Sequence, residues 1–244
     1  MYKPIIVIPF YNHFEQFLSF YPLVEKKGVP ILVINDGSDC KQSQKISELC
    51  KSRGFFYLEN KKNEGKGFSV ISALNWAFDN RFSHALQIDA DGQHCADDID
   101  IFIKKSKENP DAIVCGNPIY DASAPKTRLR GREITKFWVR LETRGVDIGD
   151  SLCGFRVYPL RLIKPLLSSL KFMRMGFDTE SIVKFVWDGI KVINVPTRVI
   201  YPKDGLSHFR MIYDNLSLIL LHTYLCCQLL MNFVKKVMMK CRIF

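Results

Sequence analysis

The sequence predicts an α/β fold: an open, mostly parallel sheet flanked by helices, with a C-terminal apolar helix. Three observations predict it. As far as Gly116, short β-branched or apolar runs alternate with stretches of helical length, which is the pattern of βαβ units. Each run ends in a polar or glycine-bearing loop, which in a parallel sheet places the loops on one rim. Finally, Asn215 to Val234 carries no charge and is long enough for one extended helix.

The elements follow in order. Ile5-Ile6-Val7-Ile8-Pro9-Phe10 is a buried strand feeding Tyr11-Asn12. Phe14 to Lys27 reads as a helix that Gly28 stops, and Val29 to Ile34 as the next strand, ending in Asn35-Asp36-Gly37-Ser38-Asp39. A helix over Gln42 to Arg53 closes on Gly54, a third strand covers Phe55 to Leu58, and Asn63-Glu64-Gly65-Lys66-Gly67 opens a helix reaching Phe78. The apolar run Ala85 to Ile88 is the fourth strand, Asp97 to Lys107 a helix, and Ala112 to Gly116 the fifth strand. Beyond it, Tyr120 to Arg132 reads as a proline- and arginine-bearing loop. Helices are expected over Ile134 to Arg144, Leu160 to Leu170 and Phe177 to Trp187, and strand-like runs over Val192 to Pro196 and Thr197 to Tyr201. No linker and no internal repeat appears, so the expected division is a domain over 1–211 and an appended helix with a basic tail over 212–244.

The stretch with the clearest chemistry is Leu86-Gln87-Ile88-Asp89-Ala90-Asp91-Gly92-Gln93-His94. At a strand end, residues i and i+2 point the same way, so Asp89 and Asp91 converge, and Gln93 adds a neutral oxygen. Hard oxygen donors of this kind suit Mg²⁺ or Mn²⁺, which keep positions open for diphosphate oxygens.

Composition narrows the partners. The 244 residues are 47% hydrophobic, enough for a real core, and the net charge is +10. The cations are spread out rather than massed with aromatics, which favours an anionic nucleotide donor and an anionic membrane surface over nucleic acid. None of the eight cysteines forms a Cys-x-x-Cys or Cys/His zinc spacing. Met1-Tyr2-Lys3-Pro4 runs straight into a strand with no signal-peptide pattern, so a cytoplasmic chain with reduced thiols is expected. No Gly-x-Gly-x-x-Gly follows the first strand and no Walker lysine motif occurs, which argues against dinucleotide enzymes and P-loop NTPases.

Asn215 to Val234 has about the length of a membrane span, but Asn215, Ser217, His222, Thr223, Gln228 and Asn232 make it a poor one. Most of these polar groups share one broad arc, on which Leu218, Leu221, Leu225 and Leu229 intrude. A helix lying in the interface, with Lys235 and Lys236 beyond it, fits better; burial against another protein or a second subunit, and a true span, are the alternatives.

Taken together, Pro9-x-Tyr11-Asn12, Asn35-Asp36-Gly37-Ser38, Asn63-x-Gly65-Lys66-Gly67, Asp89-x-Asp91-Gly92-Gln93-His94 and Gly154-Phe155-Arg156 resemble family 2 glycosyltransferases. The branch it looks most like is that of the dolichol- and polyprenyl-phosphate mannose synthases. The resemblance covers about residues 4 to 209. It implies a GT-A (Rossmann-like) fold, a nucleotide-diphosphate-sugar donor, a divalent cation, Mg²⁺ or Mn²⁺, and inversion at the anomeric carbon. By the same resemblance, Pro9, Tyr11 and Asn12 border the nucleotide, Asp36 bonds the base or ribose, and Lys66 lies near the phosphates. Asp89, Asp91 and Gln93 hold the metal, with Asp89 also facing the donor. Asp150 is the acid near the acceptor, Arg156 steadies phosphate charge, Glu180 (with Asp178) orients the donor sugar or caps a helix, and His208 donates to phosphate. Two departures matter. Asn35 replaces an aspartate. Pro202-Lys203-Asp204-Gly205-Leu206-Ser207-His208 lacks the arginine of the family's late segment and puts histidine where lysine stands. The implied enzyme moves a sugar to a lipid-linked or amphipathic acceptor, peripheral on the inner face of the cell membrane. A non-catalytic subunit that binds nucleotide-sugar at a membrane is the alternative.

Overall fold

The computed structural model describes residues 1–120, 126–199 and 211–241. Seven strands form one sheet: β1 (Pro4–Phe10), β2 (Ile31–Asn35), β3 (Phe56–Glu59), β4 (His84–Gln87), β5 (Ala112–Tyr120), β6 (Arg156–Pro159) and β7 (Lys191–Val199). Their order across the sheet is β3-β2-β1-β4-β6-β5-β7. All neighbours run parallel except β6, which lies antiparallel between β4 and β5. The mostly parallel sheet holds, and β6 is the strand that sequence patterning missed. It has only four residues, opens on an arginine and closes on a proline, so no alternation marks it.

Helices α1 (Phe14–Glu25), α2 (Cys40–Arg53), α3 (Lys66–Asp79) and α4 (Ile99–Glu108) connect the first five strands. Along β1 the side chains alternate between two cores. Ile5 and Val7 enter the one containing α3 residues Val70 and Leu74; Ile6 and Ile8 enter the one containing α1 and α4 residues Phe17 and Phe102. A strand buried on both faces has to be apolar throughout, which is what its sequence shows. Pro9 sits in this central strand where the pairing with β4 has stopped, at Val7↔Gln87, so its missing N–H costs no ladder bond. Asp39 caps α2 by accepting from Gln42 N at 2.9 Å.

The second half departs further from expectation. Helix α5 (Lys126–Glu142) begins inside the expected loop; its charged first turns hid the helical period. Helix α6 (Leu160–Ile163) passes into a 3₁₀ turn over Lys164–Ser169, and α7 (Phe177–Trp187) matches its expected bounds. Strand β7 runs unbroken through Pro196, which an edge strand tolerates. Ile200, Tyr201 and the 202–208 segment, with His208, lie outside the described residues.

Helix α8 (Met211–Cys241) follows. Leu221 and Leu225 are buried in the α3–α7 core with Leu218 packed beside them. His222 Nδ1 meets Glu142 Oε1 of α5 at 2.8 Å. Leu218, Leu221 and Leu225, which intrude on the polar arc, are therefore packing contacts; of the arc's polar groups His222 turns inward, while Asn215, Thr223 and Asn232 stay exposed.

Candidate active site

Asp36 and Asp89 emerge just past the carboxyl ends of the parallel strands β2 and β4, and Tyr11 and Asn12 past β1. Asn12 adopts a left-handed φ of 55°, a conformation asparagine enters more readily than most residues. Its Oδ1 accepts from Asp39 N at 2.9 Å and its own N donates to Ser38 Oγ at 3.0 Å, which ties the first two rim loops together. Asp36 is buried and fully engaged by the loop after β3: it accepts from Asn60 Nδ2, Glu64 N and Gly65 N at 2.9, 3.1 and 2.9 Å. It thereby fixes the entry to α3 and the position of Lys66. Gly65 in that loop has φ 101°, and a Cβ there would lie 2.4 Å from Met173 O, so only glycine fits.

The reason for asparagine at 35 is also visible. Its Nδ2 donates to Ser43 Oγ, Tyr57 OH and Glu59 Oε1, the last at 2.9 Å. An aspartate would set two carboxylates against each other inside the sheet.

The centre of the rim is an ionic cluster. Lys66 Nζ lies 2.8 Å from Asp89 Oδ1, 2.9 Å from Asp89 Oδ2 and 3.1 Å from Asp178 Oδ2. Asp178 Oδ1 accepts from Gln87 Nε2 at 3.3 Å, and Gln87 Oε1 accepts from Tyr158 OH at 2.9 Å. The chain Tyr158–Gln87–Asp178–Lys66–Asp89 thus runs from the core to the rim. Burial alone would depress the Lys66 ammonium, but Asp178 and Asp89 hold its pKa above the ordinary value. Burial alone would likewise raise the Asp89 carboxyl, yet Lys66 and His94 bring it below the usual range. Asp91 behaves oppositely: burial and then the neighbouring Asp89 charge push its pKa up. His94 Nε2 is 4.0 Å from Asp89 Oδ2, and burial lowers the imidazole despite both carboxylates.

Among the described residues no three His, Cys, Asp or Glu side chains form a ready-made metal cage. The repulsion at Asp91, which His94, Gln93 N and Lys66 offset only in part, nonetheless fits a hard divalent cation seated beside it, with open positions for other oxygens. Gln93 N donates to Asp91 Oδ1 at 3.0 Å, which keeps residue 93 next to the pair.

Gly154 is what lets the cluster close. A Cβ on it would stand 2.5 Å from Lys66 Nζ and 2.8 Å from Asp89 Oδ2. Phe155 stacks on Phe102 behind it, at 3.9 Å between ring centres.

Two expected site residues are placed as scaffold. Arg156 is fully buried, donating from NH1 to Asp178 O at 2.6 Å and from NH2 to Ser151 O at 2.6 Å. It fastens the 147–155 loop to α7 rather than facing the rim. Arg156→Met removes both charge-assisted bonds, leaving Asp178 O only Ser181 Oγ and Ser151 O only Thr179 Oγ1 as side-chain donors, and is expected to cost on the order of 3 kcal/mol of stability, read from denaturant unfolding. Glu180 is also fully buried: Oε2 accepts from Lys171 N and Phe172 N, both at 2.8 Å, and Oε1 ion-pairs with Lys184 at 2.7 Å. It anchors the chain entering α7 while its neighbour Asp178 enters the cluster. Sequence spacing left these two acids equivalent; packing separates them.

Asp150 lies beside a cleft of about 130 Å³, lined by Tyr120, Arg132, Lys136 and Ser151 among others. Its Oδ2 is ion-paired with the Arg132 guanidinium and accepts from Tyr120 OH at 2.8 Å, and its Oδ1 accepts from Leu152 N at 2.8 Å.

The chain is 25% identical over 206 residues to an uncharacterized protein of Methanocaldococcus jannaschii, covering 83% of each. It is 26% identical over 208 residues to a dolichyl-phosphate beta-glucosyltransferase of Trichomonas vaginalis, covering 78% of this chain and 64% of that one. The fold matches the crystal structure of glucosyl-3-phosphoglycerate synthase from Mycobacterium tuberculosis in complex with Mn²⁺, UDP and phosphoglyceric acid. That match has a TM-score of 0.64 at 15% identity and covers 92% of this chain and 78% of that one. The family described as Glycosyl transferase family 2 matches residues 5–166, two thirds of the sequence and every rim residue as far as Asp150 and Gly154. The chain belongs to glycosyl transferase family 2.

Proposed function

We propose that this glycosyltransferase moves a sugar from a nucleotide-diphosphate-sugar to a polyprenyl-phosphate acceptor at the cytoplasmic face of a membrane, with inversion at the anomeric carbon. In the transfer, an acceptor oxygen bonds to the anomeric carbon as its bond to the diphosphate oxygen breaks, and the nucleoside diphosphate leaves. On this reading Tyr11, Asn12 and the Asp36-braced loop border the nucleotide. Lys66 fixes Asp89 in its charged form, and Asp178 fixes Lys66. Asp89, Asp91 and Gln93 would hold a divalent cation, which when bound supplies positive charge opposite the diphosphate.

The observation that carries the choice of acceptor is the state of Asp150. A hydroxyl acceptor needs a base, but Asp150 has both oxygens engaged by Arg132, Tyr120 and Leu152 N. A phosphate acceptor is already an anion and needs none. Arg132, held by Asp150 at the cleft, supplies a cation for it, so Asp150 acts as a positioning residue. The similarity to a dolichyl-phosphate glucosyltransferase supports the same reading.

Asp150→Asn is therefore expected to lower kcat by no more than about tenfold and to raise KM for polyprenyl phosphate, because Arg132 loses its anchor. A drop of 10²–10⁴ in kcat with an unchanged KM is the signature of a lost general base and would overturn the phosphate acceptor.

A further inference from the structure

We infer that α5, and not α8 alone, forms the membrane-docking surface, and that its occupant is an anionic lipid bilayer. The inference rests on the reading of this chain as a membrane-associated transferase and extends it to a second helix and a defined orientation.

Helix α5 is apolar on the side that should be polar. Thr135, Val139, Glu142 and Thr143 face the protein, as their burial shows. The opposite side carries Ile134, Phe137 and Leu141, which are 63%, 65% and 52% exposed. At 100° per residue these three fall within one narrow arc, an i, i+3, i+7 stripe. Along one edge of it run exposed Lys136 and Arg140 at i, i+4, with exposed Arg144 in the turn just past the helix and exposed Glu133 among them. An apolar stripe flanked by a cationic row matches the interfacial zone of an anionic bilayer, with acyl chains for the stripe and headgroups for the row.

Helix α8 adds to the same surface. Leu221, His222 and Leu225 are turned inward, whereas Leu216, Ile219, Leu220 and Leu230 are 54–64% exposed on the other side. Asn215–Val234 has the length and hydropathy of a span. Crossing a bilayer would strip Leu221, His222 and Leu225 from the core, so the observed packing favours a helix lying along the surface. The two helices are clasped: His222 pairs with Glu142, and Trp138 stacks on the His222 ring at 6.3 Å. Their outward faces therefore move as one unit.

The consequence is positional. Arg132 and Lys136 of α5 line the cleft at Asp150, and the outward apolar stripe begins on the same turn, at Ile134. A bilayer seated on α5 brings the lipid-phosphate plane to the mouth of that cleft.

The test is flotation of the full chain with vesicles of phosphatidylcholine alone and of an equimolar mixture with phosphatidylglycerol. It compares wild type, Phe137→Glu/Leu141→Glu, Arg140→Glu/Arg144→Glu and Leu220→Glu/Leu230→Glu, with unchanged thermal unfolding as the control. The inference expects wild type to float with the anionic vesicles. The apolar α5 variant should lose about tenfold or more in partitioning, and the charge variant should lose its preference for anionic vesicles. If wild type floats and both α5 variants float equally well while only the α8 variant fails, α5 is no part of the surface and this inference falls alone. If wild type floats with neither vesicle, it falls together with the membrane reading. A wild-type dimer by light scattering that Phe137→Glu/Leu141→Glu converts to monomer, without vesicle binding, would make the occupant a second copy and overturn the bilayer.

Discussion

Asp91→Asn is expected to abolish sugar transfer, by on the order of 10³-fold, while raising the melting temperature of the metal-free protein. The two effects share one cause. Burial and the Asp89 charge raise the pKa of Asp91 in the folded state. A carboxyl whose folded pKa lies above its unfolded value binds more protons folded than unfolded, so its contribution to stability falls as pH rises through that window. Near neutrality the charged Asp91 thus works against folding, and removing the charge stabilises. On acidification the wild-type carboxyl protonates and the advantage of the variant disappears. Asp89→Asn should behave differently: activity is lost as well, but stability falls, because Lys66 and His94 hold the Asp89 carboxyl below its ordinary range and so favour its charged form in the folded state. Thermal unfolding in EDTA across a pH series, alongside transfer assays, separates the two. If both variants melt below wild type at neutral pH, Asp91 is not the strained carboxylate described here. Opposite signs at adjacent acids are the mark of a site whose stability is exchanged for function.

Gly154→Ala is expected to lower transfer by about 10²-fold with little loss of fold, since a displacement near 1 Å at a reacting centre costs that much. The added methyl carbon would stand 2.5 Å from Lys66 Nζ and 2.8 Å from Asp89 Oδ2. Lys66 is a flexible side chain, but Asp89 and Asp178 pin its end. The contact can therefore be relieved only by opening the cluster. The loss should appear in kcat and in the concentration of Mn²⁺ needed for half-maximal activity. Wild-type values for both would mean that Lys66 swings away at no cost and that the cluster is not a fixed element.

The sequence made the first half of this architecture legible and the second half much less so. Strands β1, β2 and β4 are apolar runs stopped by polar loops, so the convergence of Asn12, Asp36 and Asp89 on one rim follows from parallel pairing alone. Lys66 was placed on that rim, but its bridge from Asp89 to Asp178 depends on a contact between residues far apart in the chain. Asp178 looked interchangeable with Glu180 because both sit in the first turn of one helix; only the packing of α7 sends one to the site and the other to Lys184 and the backbone of residues 171 and 172. One signal was available: Gln87 interrupts the apolar run Ala85 to Ile88, and a buried amide requires partners, which are Tyr158 and Asp178. Arg156 reads in sequence as a phosphate-binding arginine, yet it opens β6, a strand bounded by arginine and proline with no alternation to mark it, and its guanidinium is held by backbone carbonyls. The polar arc of α8 was legible, but not its direction. Leu221, His222 and Leu225 turn one edge of it into the core, while Asn215, Thr223 and Asn232 remain exposed.

The most direct measurement of the central claim is the transfer itself. The full chain would be incubated with Mn²⁺, a panel of UDP- and GDP-linked hexoses labelled in the sugar, and a polyprenyl phosphate in detergent. The reading predicts that one donor yields organic-extractable label, that EDTA or Asp91→Asn abolishes it, and that omitting the lipid phosphate abolishes it too. Label that passes equally well to the corresponding polyprenol, or to a water-soluble hydroxyl acceptor in the absence of lipid phosphate, would contradict it.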